Sequence, residues 1–252
     1  MKDQKALSYI NMFAVLKDLE QLCRLDDEAK ALASPPKPVS IGFNVGGDGP
    51  KATFTFGGGE CTMAEGLGGK IKLRLGSPEA LNQMVDGEKT PLPYGGFFKL
   101  SFLLKNFTQM TDILNKYLRA SDEDLKDRAF YEKSTTLMFY LVANALSAIG
   151  NYDEIGMLSA KKIPDGSIAM EIAGGPCAEI VIKGGRMQTF NRKAEKPRAY
   201  MVFDSFDTAR GLFDGTVESM SALAAGKIVM KGYIPMIDNL NKILSRVAIY
   251  LA

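Results

Sequence analysis

The chain has 252 residues, a formal net charge of +2 and no histidine. That length fits two ordinary domains, and the even charge balance argues against nucleic acid as a partner. The lack of histidine removes the commonest general base, the Ser-His and Cys-His nucleophile pairs and most metal sites.

Residues 5–33 place Ile10, Phe13, Leu16, Leu19 and Leu22 at helical spacing, and Ser34-Pro-Pro36 ends the pattern, which predicts one long amphipathic helix or two short ones. Val39–Val45 and Ala52–Phe56 alternate about the turn Gly46-Gly-Asp-Gly49, the signal of a β-hairpin. A short strand is expected over Glu60–Ala64 and another over Lys70–Leu75. Ser77-Pro78 then supplies an N-cap followed by proline at the first helical position, with Gly87 ending that helix. Phe97–Phe102 reads as a further strand. Asn106–Leu118 reads as a helix with Met110, Ile113, Leu114, Tyr117 and Leu118 on one face.

The second half repeats this programme: a strongly apolar helical region over Ser134–Leu158, a hairpin from Ser167–Ile172 and Ala178–Ile182, and a strand over Arg186–Asn191. Tyr200–Phe203 and a helix begun by Ser205 follow, then Glu218–Ala225 as a short helix and an amphipathic helix to the C-terminus. The halves also match residue by residue. Met110-Thr-Asp-Ile-Leu-Asn-Lys-Tyr-Leu118 returns as Met236-Ile-Asp-Asn-Leu-Asn-Lys-Ile-Leu244, with six of nine positions identical, and Val85-Asp-Gly87 returns as Phe213-Asp-Gly215. The offsets, 126 (110 to 236) and 128 (87 to 215), are nearly constant, which predicts a tandem duplication with domains over 1–121 and 122–252. Helices flanking a hairpin-built sheet make the expected class α+β.

Little in the chain suggests catalysis. Cys23, Cys61 and Cys177 are too few and scattered for a disulfide framework or a zinc site. Gly66-Leu-Gly-Gly-Lys70 fails as a phosphate loop, since Ala64 stands where the first glycine belongs and Ile71 where Ser or Thr should be. Gly57-Gly-Gly59 and Gly184-Gly185 follow strands and read as turns. Asp112 with Lys116, and Asp238 with Lys242, have the spacing of surface ion pairs. No catalytic residue, metal ligand or cofactor is assigned. An enzyme working through Asp112, Asp238 or Cys177 stays open as an alternative.

The N-terminal segment carries Lys17, Asp18 and Glu20 within its apolar run, unlike a secretory signal. Leu137–Ile149 contains Asn144 and Ser147 and is too short to span a bilayer. The expected location is cytoplasmic, with no integral membrane segment.

Gly226-Lys-Ile-Val-Met-Lys-Gly232, between a short helix and a final apolar helix and preceded by Tyr200-Met-Val-Phe-Asp-Ser205, resembles the closing segment of sterol carrier protein type-two domains. The resemblance covers roughly residues 165–252. It implies two tandem sterol-carrier-like domains, each a mostly antiparallel sheet of about five strands with helices on one face, enclosing an apolar tunnel for a fatty acid, sterol or acyl-CoA. The chain departs from the family at Tyr233-Ile-Pro235, and Gly96–Phe102 of the first half lacks the Gly-Lys pair and the second glycine. The implied lining is Met236, Leu240, Ile243 and Val247 of the last helix with Met220 and Leu223 before it, and Met110, Ile113 and Leu114 in the first half. The expected function is non-enzymatic carriage of that ligand. The alternative is an interaction module with filled cores, whose stripes pack the halves together or form a homo-oligomer.

Overall fold

The computed structural model describes residues 2–96 and 99–251, and the chain divides into two compact units, one ending at Ser121 and the other starting at Asp122. In the first, Asp3 caps α1 (Gln4–Ile10) by accepting from the Lys5 and Ala6 amides. The helical path continues through a π-helical turn, Asn11–Val15, and a 3-10 turn, Leu16–Asp18, into α2 (Leu19–Leu25). It breaks at Asp26, which takes extended backbone and caps α3 (Asp27–Leu32). An aspartate offers nearby amides an acceptor, so it favours a new helix start over continuation.

The sheet follows: β1 (Val39–Val45), β2 (Lys51–Gly57), β3 (Glu60–Glu65) and β4 (Ile71–Leu75). Next come α4 (Pro78–Val85), capped by Ser77, and β5 (Leu92–Gly95). The spatial order is β3-β2-β1-β4-β5; β1 and β4 run parallel, with Ile41 opposite Ile71, and every other pair is antiparallel. Burial alternates along β2, where Ala52, Phe54 and Phe56 are buried and Lys51 and Thr55 are exposed, so one face carries the core. The glycine-rich segment 66–70 is the crossover from β3 to β4. It lies against the opposite face so closely that a Cβ on Gly42 would collide with the Gly68 carbonyl oxygen. Thr53 holds it there, donating to the Gly66 carbonyl at 2.9 Å and accepting from the Gly68 amide at 2.8 Å.

The strand expected over Phe97–Phe102 is corrected. Phe97 and Phe98 lie outside the described residues, Lys99–Ser101 are helical, and a π-helical stretch, Phe102–Phe107, leads into α5 (Thr108–Leu118). The strand is β5, earlier in the chain, and it contains Pro93. An edge strand tolerates proline because one of its sides makes no ladder bonds.

The second unit repeats the order. Asp127 caps α6 (Arg128–Tyr152), and Asp153 ends it and caps α7 (Glu154–Ala160), so the expected single helical region is two helices. Then come β6 (Gly166–Ile172), β7 (Cys177–Lys183), β8 (Arg186–Phe190) and β9 (Ala199–Phe203). The unit closes with α8 (Phe206–Phe213), α9 (Ser219–Ala224), β10 (Ile228–Gly232) and α10 (Ile234–Leu251). Its sheet order, β10-β9-β6-β7-β8, is that of the first sheet, with β6 and β9 parallel. Asn82 and Arg210, each the fifth residue of its helix, show how one position is solved twice. Asn82 exchanges amide hydrogen bonds with Asn11 and Gln4, whereas buried Arg210 donates to Ser134 at 2.7 Å and to Asp214 at 2.6 Å. Among the described residues no helix is long and apolar enough to cross a membrane.

Candidate apolar ligand site

The closing helix of each unit buries one stripe. In α10 it is Met236, Leu240, Ile243, Val247 and Tyr250; in the first unit it is Leu103, Phe107, Met110, Leu114 and Tyr117. Both stripes step by four, three, four and three residues, and both end on a tyrosine one residue before the last of the helix. These tyrosines do the same work. Tyr117 donates to Asp26 at 2.9 Å and Tyr250 donates to Asp153 at 2.6 Å, each aspartate capping the short helix, α3 or α7, that follows the opening helical path of its unit. Gly96 and Gly232 mark the other end: each has positive φ, and a Cβ on either would collide with the backbone at the start of the neighbouring strand, at Lys70 or Arg198.

The structural register is therefore 133 residues (117 to 250), not the 126 (110 to 236) of the matching nonapeptides. The difference, 133 − 126, is seven residues, two helical turns, over which an apolar stripe nearly superposes on itself. Met110 takes the place of Ile243, and Leu114 that of Val247. By its contact at the start of the neighbouring strand Gly96 is the counterpart of Gly232, at a spacing of 136 residues (96 to 232), so the second glycine expected to be missing from the first half is present, and its strand precedes rather than follows it.

The two cores are filled differently. In the first unit Phe107 of the closing segment meets Phe43 and Phe56 of the sheet, with ring centroids 6.1 and 6.0 Å apart, and Phe43–Phe54 and Phe56–Phe102 stand at 5.6 and 5.3 Å. By strand pairing, Phe43, Phe54 and Phe56 correspond to Met170, Ile180 and Ile182, and Phe107 corresponds to Leu240. The first unit joins helix to sheet with interlocked rings. The second uses aliphatic and thioether side chains, which re-pack more readily.

The residues expected to line a tunnel fall into two groups. Met236, Leu240, Ile243, Val247, Met110 and Leu114 are buried, and Ile113 is half-buried. The α10 stripe packs on α6 and α7 of its own unit. Met220 and Leu223 are instead 68% and 40% exposed, because six-residue α9 turns Ala222 inward. They belong to an exposed apolar series that sequence reasoning only half found: Val229 of edge strand β10, then Tyr233 and Ile234 at the start of α10, the last 75% exposed. The signal for it is Tyr233-Ile234-Pro235, read above only as a departure from the family: two apolar residues ahead of a helix-starting proline.

Three polar groups interrupt this apolar setting. Asp153 is 2% exposed and accepts from Tyr250, Arg246 and the Gly156 amide. Burial alone would raise its pKa, but the hydrogen bonds from Arg246, Tyr250 and Gly156 hold it below the ordinary carboxylate value. Asn239, between Met236 and Leu240, is 7% exposed; its Nδ2 donates to the Pro235 carbonyl at 2.8 Å while its Oδ1 has no partner. Asp18 is buried with neither carboxyl oxygen bonded. A hollow of about 400 Å³ on the second sheet is lined by Asp165, Ser167, Val181, Lys183, Lys196 and Arg198 among others, none of them an expected lining residue. Asp112 and Asp238 are exposed, and Asp238 pairs with Lys242 at 2.7 Å. Burial raises the Cys177 thiol. Among the described residues no cluster of three acidic, cysteine or histidine side chains is placed to hold a metal ion.

No family model matches the chain, and no curated protein matches it. Among solved structures it is similar to sterol carrier protein domain 2 of Helicoverpa armigera, at 20% identity over 44% of this chain and 88% of that one, with a TM-score of 0.36. It is also similar to a UbiJ-SCP2 ubiquinone synthesis protein, at 10% identity over 42% and 90%, TM-score 0.34. The inverting sec-alkylsulfatase Pisa1 of Pseudomonas sp. matches at 11% identity over 68% of this chain and 30% of its own length, TM-score 0.26. The chain resembles sterol carrier protein domains, and its architecture is two five-stranded α+β units in tandem.

Proposed function

We propose that the second unit is a non-enzymatic carrier of an apolar small molecule of the fatty acid, sterol or acyl-CoA class, seated between its sheet and α10. The observation that carries this reading is the run of exposed apolar residues, Met220, Leu223, Val229, Tyr233 and Ile234, at the edge where the stripe of Met236, Leu240 and Ile243 begins. Exposed apolar surface gathered in one place marks a binding surface more often than surface scattered singly. The buried stripe is closed, so a ligand enters by displacing flexible side chains, Met236 first. Asn239 Oδ1, an acceptor without a partner, then takes a hydrogen bond from a ligand whose polar end carries a donor, such as a sterol hydroxyl. The first unit, bolted by its phenylalanines, serves as the partner domain of a duplicated pair and takes up little ligand.

Native mass spectrometry of protein purified from cells tests this, together with uptake of a fluorescent fatty acid. A mass increment released by organic solvent is expected, with uptake reduced by Met236→Trp. A clean apo mass with no uptake sinks the proposal, and a tight ligand-free dimer in sedimentation assigns the apolar surface to self-association instead.

A further inference from the structure

The opening helical path of the first unit holds two irregularities in one place. Between α1 and α2 the backbone passes through a π-helical and then a 3-10 turn, Asn11–Asp18. At the end of that joint Asp18 is 1% exposed, and neither carboxyl oxygen has a hydrogen-bond partner. The corresponding helix of the second unit, α6, is α-helical without interruption for 25 residues. Wide and tight turns in succession weaken the backbone hydrogen bonds of a helix. An unpaired carboxyl is tolerated in an apolar interior only while it is neutral.

We infer that Asp18 is a proton-held latch: protonated, it lets the helical joint at residues 11–18 close over the first unit's core, and its loss of a proton opens the joint to water. Burial pushes its pKa well above the ordinary carboxylate value. Lys17 opposes that shift and Glu20 adds to it. The charged groups on elements packed against α2 are Glu60 and Glu65 of β3, Asp27, Glu28 and Lys30 of α3, and Asp112 and Lys116 of α5. All of these are exposed, and none is among the groups acting on Asp18. Cys61 and Met63 of β3 are not charged; the Met63 amide donates to Glu20 at 2.6 Å, which turns that carboxylate toward the strand.

Opening then releases one proton, so the open fraction rises about tenfold per pH unit between the exposed and the buried carboxyl pKa. Cys23 lies on α2, beyond the joint, and is 1% exposed, which makes it the reporter. The experiment is thiol labelling of the full chain across a pH series, with Cys23 followed by peptide mass spectrometry in wild type and Asp18→Asn. The thiol's own titration cancels in the ratio of the two rates. The ratio is expected to climb about tenfold per pH unit from about pH 5 upward. A ratio that stays flat with pH overturns the inference. Asp18→Leu, which cannot ionise either, replaces Asn in the same comparison should the amide variant fail to fold.

Discussion

The phenol of Tyr250 donates to Asp153 at 2.6 Å, joining the end of the chain to the aspartate that both ends α6 and begins α7. Tyr117 and Asp26 make the same join in the first unit, 91 residues apart in sequence. A buried hydrogen bond to a charged acceptor contributes about 1.5–3 kcal/mol. Tyr250→Phe, which keeps the ring and removes the donor, is therefore expected to lower stability by about that amount. Urea denaturation measures it, and a loss near zero would show that Arg246 and the Gly156 amide suffice alone.

Acid should release the same cluster. Asp153 is held below its unfolded value, so its contribution is complete above about pH 4 and is lost as pH falls through the folded value. Asp153→Asn should lower the melting temperature at neutral pH, and the gap to wild type should narrow as the solution is acidified. Thermal scans across the acid range decide it; a constant gap would mean that the charge is not what stabilises the junction.

Two glycines of one unit should respond differently to the same change. Gly232→Ala brings a Cβ against the Arg198 carbonyl and Ala199 Cα at φ 108°, whereas Gly215→Ala, at φ 71°, meets nothing within 4 Å. The second should cost about 1–2 kcal/mol of backbone strain. Gly232→Ala should cost more, and chemical denaturation of both variants compares them directly.

The contrast between the cores gives a test of where ligand sits. Ile180→Phe and Leu240→Phe place rings where the first unit has Phe54 and Phe107. The double variant should keep its fold, since added core volume costs about 1–3 kcal/mol at each site, and should lose uptake of a fluorescent fatty acid by about tenfold or more. Unchanged uptake by a folded double variant would place the ligand elsewhere.

Much of this architecture was legible in the chain because its signals are local. The hairpins announced themselves by alternation about glycines, and Ser77 and Ser205 by their position ahead of a helical run; each serine caps its helix as read. Lys99–Ser101 misled because Phe97–Phe102 has the composition of a strand, while β5 hid behind Pro93, which only an edge position permits. Helical register misled more deeply. Six identities at an offset of 126 outweigh three at 133 over the closing helix, yet the tyrosines that fix its end obey the longer spacing. Periodicity shows which face of a helix is buried, and a shift of two turns leaves that face unchanged. The partners that choose between registers lie 91 and 97 residues away and leave no local trace. Asp18 looked like a charge interrupting an apolar run, and its burial depends on neighbours no window contains.

The crossover laid over Gly42 also sets how each unit tolerates change. Segment 66–70 touches the sheet backbone to backbone, Gly69 against Gly42 and Ile41, with Thr53 bonded at both sides. A lengthened loop or a side chain turned inward there would lift the whole crossing from the sheet. The second unit has Ala169 in place of Gly42 and a longer crossing, 191–198, in which Arg192, Lys193, Glu195 and Lys196 are exposed and which is tied to the sheet at its end, where the Arg198 amide donates to the Ser167 carbonyl at 2.8 Å. Insertions and fusion tags should therefore be accepted between Phe190 and Ala199 and rejected between Glu65 and Ile71, so one of two matching folds is open to engineering on that face and the other is not.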